Sequence, residues 1–387
     1  MNQKVIPEGF ELVWNPVTCK EVMRPIFGFS DKYLTPTSFV PENSEKKASS
    51  KSGKNNSNLS AAKINKNDEY FTGLGDIVKE LKHYTNQFKD KVVYCPCDKA
   101  FNLGRSKFIE YFLAIFHIIG LKKLICTQYN PNGKGEMKVV DFANRGFKWE
   151  YHGEYKDGSK IDESMIDITL LEGDGSFESE ECQKLMRECD IVVTNPPFSR
   201  FKEFLAQLMK YDKKFLIIGN MNAITYKDVF SLIKGNKLWL GMTNPSTFET
   251  PEGEKKTFGN TRWFTNLNHD KRIEEIYLPK TYNPDDYQKY DNYDAIEVDK
   301  TKNIPNDYDG VIGVPISFLE RYNPNQFAVI GMFNDYKPNK VDLDAGLIGG
   351  EPTYVDEQHK RFCGPVIQGK SKYARILIRN LHPVKTQ

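Results

Sequence analysis

Four consecutive residues of this chain, Asn195-Pro196-Pro197-Phe198, combine the groups that are needed to hold an exocyclic NH2 for methyl transfer. They follow a strand-like run at 189–194 and precede a helix-like run at 200–210. The prolines fix the backbone at the carboxyl end of the strand. An amide oxygen and a main-chain carbonyl are then free to accept hydrogen bonds, and the aromatic ring offers a face for stacking. The alternative interpretation is a buried strand followed by a structural Pro-Pro turn.

The chemistry that these residues could perform is a direct in-line displacement. Asn195 is neutral and is therefore not a general base. We expect Asn195 and the Pro196 carbonyl to accept hydrogen bonds from the target NH2, which would localise the nitrogen lone pair and aim it at a methyl group. Catalysis would then depend on orientation and electrostatics. Phe198 would stack on the target ring, and a target base in duplex DNA would first have to be flipped out of the stack.

The elements that must position these residues follow an α/β pattern from about residue 68 to about residue 265. Alternating strands and helices predict a doubly wound, mostly parallel sheet. Ligands of such a sheet bind outside the carboxyl ends of its strands. A hairpin insertion is expected within 134–158, around Arg145. The predicted strands are 91–95, 123–127, 168–171, 190–194, 214–218, 238–240 and 262–265, and the predicted helices are 77–88, 106–119, 200–210 and 226–234.

The turn after the first predicted strand is the better-placed candidate for a loop that binds S-adenosylmethionine, the methyl donor. In Cys95-Pro96-Cys97-Asp98, the Asp98 carboxylate could meet the ammonium or ribose of the cofactor, and the Cys95–Cys97 backbone could lie under its tail. A strand-terminal turn with small buried thiols is the alternative. The string from Phe71 to Gly75 has the form FxGxG, but no strand precedes it, and a lone GxG motif is weak support.

A second cofactor contact is expected in the segment from Gly173 to Phe177, which ends another predicted strand. The Asp174 carboxylate, beside Gly175, could accept a hydrogen bond from the adenine NH2 of the cofactor, and Phe177 could flank the adenine ring. A simple Gly-Asp-Gly turn is the alternative. We favour the functional interpretation because this strand end and Asn195 are expected at the same edge of the sheet.

The composition is that of a globular chain in a reducing compartment. The 387 residues are enough for a catalytic core and a second domain. No apolar stretch has membrane-spanning length and no secretion signal begins the chain, so we expect a cytoplasmic protein that does not enter membranes. The 7 cysteines are scattered, and because no His cluster completes a zinc site, we expect reduced thiols and no metal. The net charge of only +2 means that any basic surface for nucleic acid must be local.

Changes in composition divide the chain into four parts. Residues 1–40 form an N-terminal lead, and the Ser/Asn/Lys-rich residues 41–66 are expected to be a flexible linker, with a DNA-backbone arm as the alternative. Residues 67–265 carry the α/β pattern. Residues 266–387 are rich in loops, Tyr, Asn and Asp, which suggests a separate, irregular α+β domain.

The C-terminal thirty residues form a local basic feature. From Gln358 to Gln387 there is no Asp or Glu, whereas 7 Lys and Arg residues are present. Strand alternation would place Arg375 and Arg379 on one face. Contact with phosphates is one interpretation, and an edge strand guarded by charge is the other. The stretch 285–309, with 8 acidic residues against 3 Lys, is not expected to lie along a phosphate backbone.

Five tracts carry a resemblance to a known family: Asp68–Thr72, Val93–Asp98, Val193–Phe198, Gly259–Asn266 and Tyr290–Ile296. Together they resemble the EcoRI-type adenine-specific DNA methyltransferases. The resemblance implies a class I methyltransferase fold, S-adenosylmethionine as donor and methylation of adenine N6 in duplex DNA. It also implies that Thr72 contacts the cofactor, that Arg262 contacts DNA, and that 266–387 is a target-recognition domain. A monomer is expected, with a cognate restriction endonuclease as a functional but not a physical partner.

Several alternatives remain at this point. The enzyme could be the modification half of a restriction-modification system or an orphan methylase. Asn-Pro-Pro-aromatic could instead serve methylation of an RNA adenine or a protein glutamine NH2, although the downstream domain favours DNA. A non-catalytic DNA-binding accessory protein is a third possibility, and the intact tetrad argues against it. No acidic residue follows Thr127 at the end of the second predicted strand, so the ribose contact is not assigned.

Overall fold

A computed structural model describes the chain over residues 10–15, 20–25, 70–98, 106–129, 145–154, 165–249, 254–336, 345–355 and 360–385, with the backbone alone for the first two ranges. The predicted linker at 41–66 and the first arm of the predicted hairpin insertion lie outside these residues. The described residues form two compact units. The first comprises Met1–Gly219 and Pro245–Gly259, and the second comprises Asn220–Asn244 and Asn260–Gln387.

The strands are β1 (Phe10–Asn15), β2 (Lys20–Pro25), β3 (Phe71–Thr72), β4 (Val92–Cys95), β5 (Lys123–Gln128), β6 (Phe147–Tyr151), β7 (Asp167–Leu170), β8 (Ile191–Thr194), β9 (Lys214–Asn220), β10 (Trp239–Leu240), β11 (Thr247–Glu249), β12 (Lys255–Thr257), β13 (Thr261–Thr265), β14 (Ile296–Glu297), β15 (Ile312–Pro315), β16 (Phe327–Phe333), β17 (Leu347–Ile348), β18 (Thr353–Val355), β19 (Lys360–Phe362), β20 (Val366–Ile367), β21 (Lys370–Ser371) and β22 (Arg375–Asn380). The α-helices are α1 (Leu74–Leu81), α2 (Lys107–Ile115), α3 (Glu180–Glu188), α4 (Phe201–Lys210) and α5 (Lys227–Lys234). Within the described ranges, each helix is too short or too polar to cross a membrane.

The main sheet of the first unit has the strand order β1-β2-β7-β6-β5-β4-β8-β9. Its centre, β5-β4-β8-β9, is parallel, and the pairs from β5 outward to β1 are antiparallel. Two antiparallel steps separate β7 from β5, so these strands point the same way. The carboxyl ends of β4, β5, β7 and β8 therefore meet at one edge. The predicted α/β character is confirmed, and the sheet is mixed, with its parallel part confined to the centre.

The central strands form because their sequences are apolar on both faces. β8 is fully buried along its length, as are three of the four residues of β4, which is the pattern of a strand covered on both sides. Serine caps begin the two helices nearest the site. Ser106 Oγ accepts a hydrogen bond from Phe108 N at the start of α2, and Ser179 Oγ accepts one from Cys182 N at the start of α3.

Helix ends differ most from the sequence prediction. The helix predicted over 77–88 ends at Leu81, and a 3₁₀ turn at Thr85–Gln87 follows it. Tyr84 and Phe88 nevertheless remain fully buried. The apolar spacing therefore identified the correct buried side chains but not the change in backbone, because an α-helix and a 3₁₀ turn that follows it can both direct side chains into the core. The second arm of the predicted hairpin insertion is β6, which pairs with β5 and β7.

The second unit has its own sheet, in the order β14-β15-β22-β16-β17. Around this sheet, Tyr290, Phe333, Ile348 and Leu377 belong to a buried cluster. The last two strands predicted for the α/β part, β10 and β13, are present and antiparallel. Since this unit includes 220–244, packing does not follow the predicted boundary at residue 265, and the functional domain boundaries stay a prediction.

Candidate active site

A cavity of about 420 Å³ lies at the carboxyl edge of the main sheet in the first unit. This volume is within the range of small-molecule sites, roughly 300–1,000 Å³. The loops after β4, β5, β7 and β8 supply most of its wall, as expected for the carboxyl end of parallel strands. Its lining residues are Tyr70, Phe71, Pro96, Cys97, Asp98, Gln128, Tyr129, Asp174, Gly175, Ser176, Phe177, Glu178, Ser179, Asn195, Pro197 and Arg200.

Asn195 follows the last residue of β8 and its amide is held in one orientation. Its Nδ2 donates a hydrogen bond of 2.6 Å to the main-chain oxygen of Tyr70. Its Oδ1 is buried and has no hydrogen-bond partner among the described residues. A buried amide oxygen without a donor is costly. The site therefore offers a pre-oriented acceptor beside the cavity, suited to an NH2 group.

Asp98 lies at the end of the β4 turn and is buried. Its Oδ2 accepts a hydrogen bond of 3.0 Å from Thr194 Oγ1, and its Oδ1 accepts one from the Ser106 hydroxyl. Burial raises the pKa of Asp98 to about 6, although both hydroxyl donors act in the opposite direction. The carboxylate thus links the turn after β4, the residue that begins α2 and the last residue of β8.

The segment after β7 forms a tight turn against the end of β5. Gly175 has φ +77°, and a Cβ there would collide with the main-chain oxygen of Gln128, so only glycine fits. Asp174 Oδ1 accepts a hydrogen bond of 2.9 Å from Ser176 N. Phe177 is nearly buried, and the Arg200 guanidinium lies 5.5 Å from its ring centroid. The predicted Gly-Asp-Gly turn is therefore present, and it also brings Asp174 and Phe177 into the cavity wall.

The aromatic residue of the tetrad lies beside the cavity lining rather than in it. The Phe198 ring is half-buried and faces Tyr70, with 6.3 Å between ring centroids and 29° between planes. Phe248 contacts Phe198 edge to face at 6.5 Å. Pro196 is buried and Pro197 lines the cavity. The tetrad therefore joins the cavity to an aromatic cluster.

Two predicted cofactor residues do not line the cavity. Thr72 is buried in β3, opposite Phe248 of β11, and its Oγ1 has no hydrogen-bond partner among the described residues. Cys95 is the fully buried last residue of β4, and burial raises the pKa of its thiol. Cys97 does line the cavity. The six described cysteines are free thiols, and within the described residues no cluster of three or more His, Cys, Asp or Glu is arranged for a metal.

The three arginines predicted to contact DNA all lie in the second unit and differ in their partners. The Arg375 guanidinium binds the Glu297 carboxylate with its Nε and Nη2, at 2.7 Å from Nη2, and both side chains are largely buried. Arg262 Nη2 lies 2.7 Å from Glu320. Arg379 is exposed. The alternative of an edge strand is wrong, because the strand β22 that carries Arg375 lies between β15 and β16.

Sequence reasoning missed several cavity residues. Gln128 ends β5 and Tyr129 follows it, and both could have been found by the strand-end rule that identified Asp98 and Asn195. Tyr70 lay in a recognised tract but had no pattern of its own, because its role depends on a contact 125 positions away in the chain. Glu178, Ser179 and Arg200 also line the cavity and carried no sequence signal.

Comparisons with known proteins show the family of the chain. The family model described as "Adenine-specific methyltransferase EcoRI" matches residues 58–381. The type II methyltransferase M.EcoRI of Escherichia coli is 43% identical over 343 residues, which cover 83% of this chain and 96% of that relative.

Two mycoplasma proteins are also similar. The type II methyltransferase M.MpnI of Mycoplasma pneumoniae is 34% identical over 342 residues, covering 82% of this chain and 96% of the relative. A type II methyltransferase of Mycoplasma genitalium is 35% identical over 343 residues, covering 82% and 97%. No solved structure matches the chain.

Proposed function

We propose a reaction for this chain on the premise of its family: the chain belongs to the EcoRI family of adenine-specific methyltransferases. It transfers a methyl group from S-adenosylmethionine to adenine N6 within a specific site in duplex DNA. The observation that carries this proposal is the buried Asn195 Oδ1, which has no donor among the described residues and lies beside the cavity. An exocyclic NH2 is the group that would satisfy this acceptor.

The described residues fit the cofactor. The carboxylates of Asp98 and Asp174 suit an ammonium and amino or hydroxyl donors, and Phe177 offers a flanking ring. S-adenosylmethionine, when bound, would supply an electrophilic methyl group, and S-adenosylhomocysteine would be the leaving group as the S–C bond breaks. We further propose that the Cys95–Cys97 backbone, Gly175 and Thr72 belong to the same cofactor site. The fold that would present them is the class I methyltransferase fold, which the four parallel central strands support.

The residues of the chain would act by orientation. Tyr70 O holds the Asn195 amide, so Oδ1 would accept a hydrogen bond from one N–H of the target NH2 and the Pro196 carbonyl would accept one from the other. The nitrogen lone pair is then localised and directed at the methyl group, and Phe198 stacks on the flipped adenine. Asn195 cannot act as a base, so the proton that N6 loses after transfer goes to solvent. Catalysis would come from alignment and electrostatics.

DNA binding is proposed to involve the region 266–387 as target-recognition domain, together with Arg262, Arg375 and Arg379. Of these arginines, Arg379 is exposed and is the best supported, whereas the largely buried ion pair with Glu297 makes Arg375 the weakest candidate. We propose that the protein acts as a monomer in the cytoplasm. A restriction endonuclease for the same site would be a functional partner that makes no contact with it, and an orphan methylase would have no such partner.

The test measures transfer of label from S-adenosylmethionine to duplex DNA, RNA and protein. We expect label on adenine of duplex DNA, and Asn195→Ala to reduce transfer by about a hundredfold or more. Tyr211→Ala is the matched control, since Tyr211 is half-buried in the same unit but does not line the cavity. Label on RNA or protein but not on DNA would contradict the proposal.

A further inference from the structure

Tyr70 is placed to do more than hold Asn195 through its main chain. The side chain is half-buried and lines the cavity, and the residue directly precedes β3. Its ring and the Phe198 ring are separated by 6.3 Å between centroids and inclined by only 29°. Two aromatic faces are therefore nearly parallel next to the acceptor oxygen of Asn195.

The separation of these two rings suits an inserted base. Stacked bases follow one another at about 3.4 Å, so a base between two rings needs about 6.8 Å. The centroids of Tyr70 and Phe198 are 6.3 Å apart and the ring planes are inclined by 29°. These centroids are farther apart than those of two rings in direct face-to-face contact, so a smaller movement of the rings would admit a purine.

Neighbouring side chains hold the Tyr70 ring in place. Phe258 contacts it edge to face, with 4.9 Å between centroids, and Lys256 Nζ lies 6.0 Å from its centroid. The fully buried Phe248 packs against both Phe258 and Phe198. Tyr70 is therefore a positioned wall, and little side-chain entropy would be lost when a base binds.

The segment that carries these neighbours is itself anchored to the first unit. Asp76 of α1 accepts hydrogen bonds from Ser246 N at 2.9 Å and Thr247 N at 2.8 Å. β11 then pairs with β3, which continues directly from Tyr70. The pairing fixes the aromatic wall relative to the strand end that carries Asn195.

We propose that the target adenine inserts between Tyr70 and Phe198, so that Tyr70 is a second base-contacting residue of this site. The proposal rests on the proposed function, because it assigns the second wall of the same adenine site. The Tyr70 side chain stacks on one face of the flipped base, and its main-chain oxygen orients the Asn195 amide that receives the NH2. Tyr70 thus positions both the ring of the adenine and its reacting nitrogen.

The test compares DNA duplexes that differ only at the target base. Methylation-sensitive long-read sequencing of DNA from expressing cells first identifies the methylated site. Binding is then measured with S-adenosylhomocysteine present, on one duplex with adenine and one with an abasic residue at the target. We expect Tyr70→Ala to weaken binding of the adenine duplex by about tenfold. We expect no change for the abasic duplex, which has no base to stack.

Three further variants make the result decisive. Tyr70→Phe keeps the ring and should bind both duplexes as the wild type does. Tyr70→Leu keeps apolar volume without an aromatic face and should bind the adenine duplex more weakly but the abasic duplex normally. It provides the same test as Tyr70→Ala if the alanine variant unfolds. Tyr211→Ala, outside the cavity, should show no selective loss.

Two outcomes separate the inference from the function on which it rests. Equal loss on both duplexes for the alanine and leucine variants of Tyr70 would mean that the ring supports the fold only, and would overturn the inference. If the wild type transfers label to RNA or protein and not to duplex DNA, the proposed function fails instead, and the inference fails with it.

Discussion

Asp98 and Thr194 lie 96 positions apart in the chain, and the Thr194 hydroxyl donates a 3.0 Å hydrogen bond to the Asp98 carboxylate. Thr194 is the last residue of β8 and precedes Asn195 directly. The bond therefore couples the turn after β4 to the residue that would receive the target amine. A carboxylate that the sequence predicted to face the cofactor therefore also holds the strand end that precedes Asn195.

The first prediction concerns this hydrogen bond. Thr194→Val removes the donor and leaves a buried carboxylate oxygen unsatisfied, so we expect the free energy of unfolding to fall by about 1–3 kcal/mol. Methyl transfer should fall more than cofactor binding, because Asn195 loses its support. Thr194→Ser keeps the hydroxyl and serves as the control. Urea denaturation and single-turnover rates measure both effects, and a valine variant with wild-type stability and rate would contradict the coupling.

The second prediction follows from the pKa of Asp98, which burial raises to about 6 from a usual value of 3.8. Below pH 3.8 both folded and unfolded states bind the proton. As pH rises toward 6, the unfolded state loses it first, so the contribution of Asp98 to stability decreases and then levels off above pH 6. The expected change is on the order of 3 kcal/mol.

The check is urea denaturation of wild type and Asp98→Asn between pH 4 and pH 7.5. The stability of the wild type relative to the variant should decrease across the lower half of this range and become flat above about pH 6. A difference that increases with pH would show that the folded state favours the ionised carboxylate.

The third prediction concerns the turn at Gly175. Gly175→Ala places a Cβ against the Gln128 main-chain oxygen at a positive φ, so the turn must move. We expect about 1–3 kcal/mol of lost stability and a larger loss of S-adenosylmethionine affinity, measured by calorimetry. Gly75→Ala is the control, since a Cβ at this position in α1 would meet nothing within 4 Å. Equal affinity in the two variants would contradict a role for the turn in cofactor binding.

The fourth prediction separates two arginines of β22. Arg379→Gln should leave stability unchanged, because Arg379 is exposed. It should reduce the slope of the logarithm of the DNA-binding constant against the logarithm of the salt concentration by the amount expected for about one phosphate contact. Arg375→Gln leaves the largely buried Glu297 without a cation, although the Tyr290 hydroxyl still donates to it. This variant should cost about 3 kcal/mol of stability, with little change in the salt dependence.

Thermal unfolding and DNA titrations at several salt concentrations measure both effects. The double variant Arg375→Gln/Glu297→Gln is the control for the ion pair and should recover part of the lost stability. If Arg375→Gln alters the salt dependence of DNA binding while the protein remains stable, Arg375 contacts DNA and does not stabilise the fold.

The strand ends could be predicted from the sequence because they depend on local patterns. Apolar runs with terminal polar residues placed Asp98, Asp174 and Asn195 at one edge, and the structure lines a single cavity with all three. Thr72 and Cys95 are buried and do not line the cavity, and their contacts with the cofactor stay predictions. Adjacency in sequence therefore did not determine which side chains are exposed to the cavity.

The sequence by itself determined the residue types of the site and the family of the protein, since both depend on short contiguous tracts. Only the tertiary structure decided the partners of those residues. Tyr70 lies 125 positions from Asn195, and Asp98 lies 96 from Thr194. The contact between Asp98 and Thr194 arises from strand order, which pairs β4 with β8, and Tyr70 directly precedes β3, which pairs with β11. A single sequence does not report them, because a hydrogen bond between distant residues leaves no periodicity in the chain.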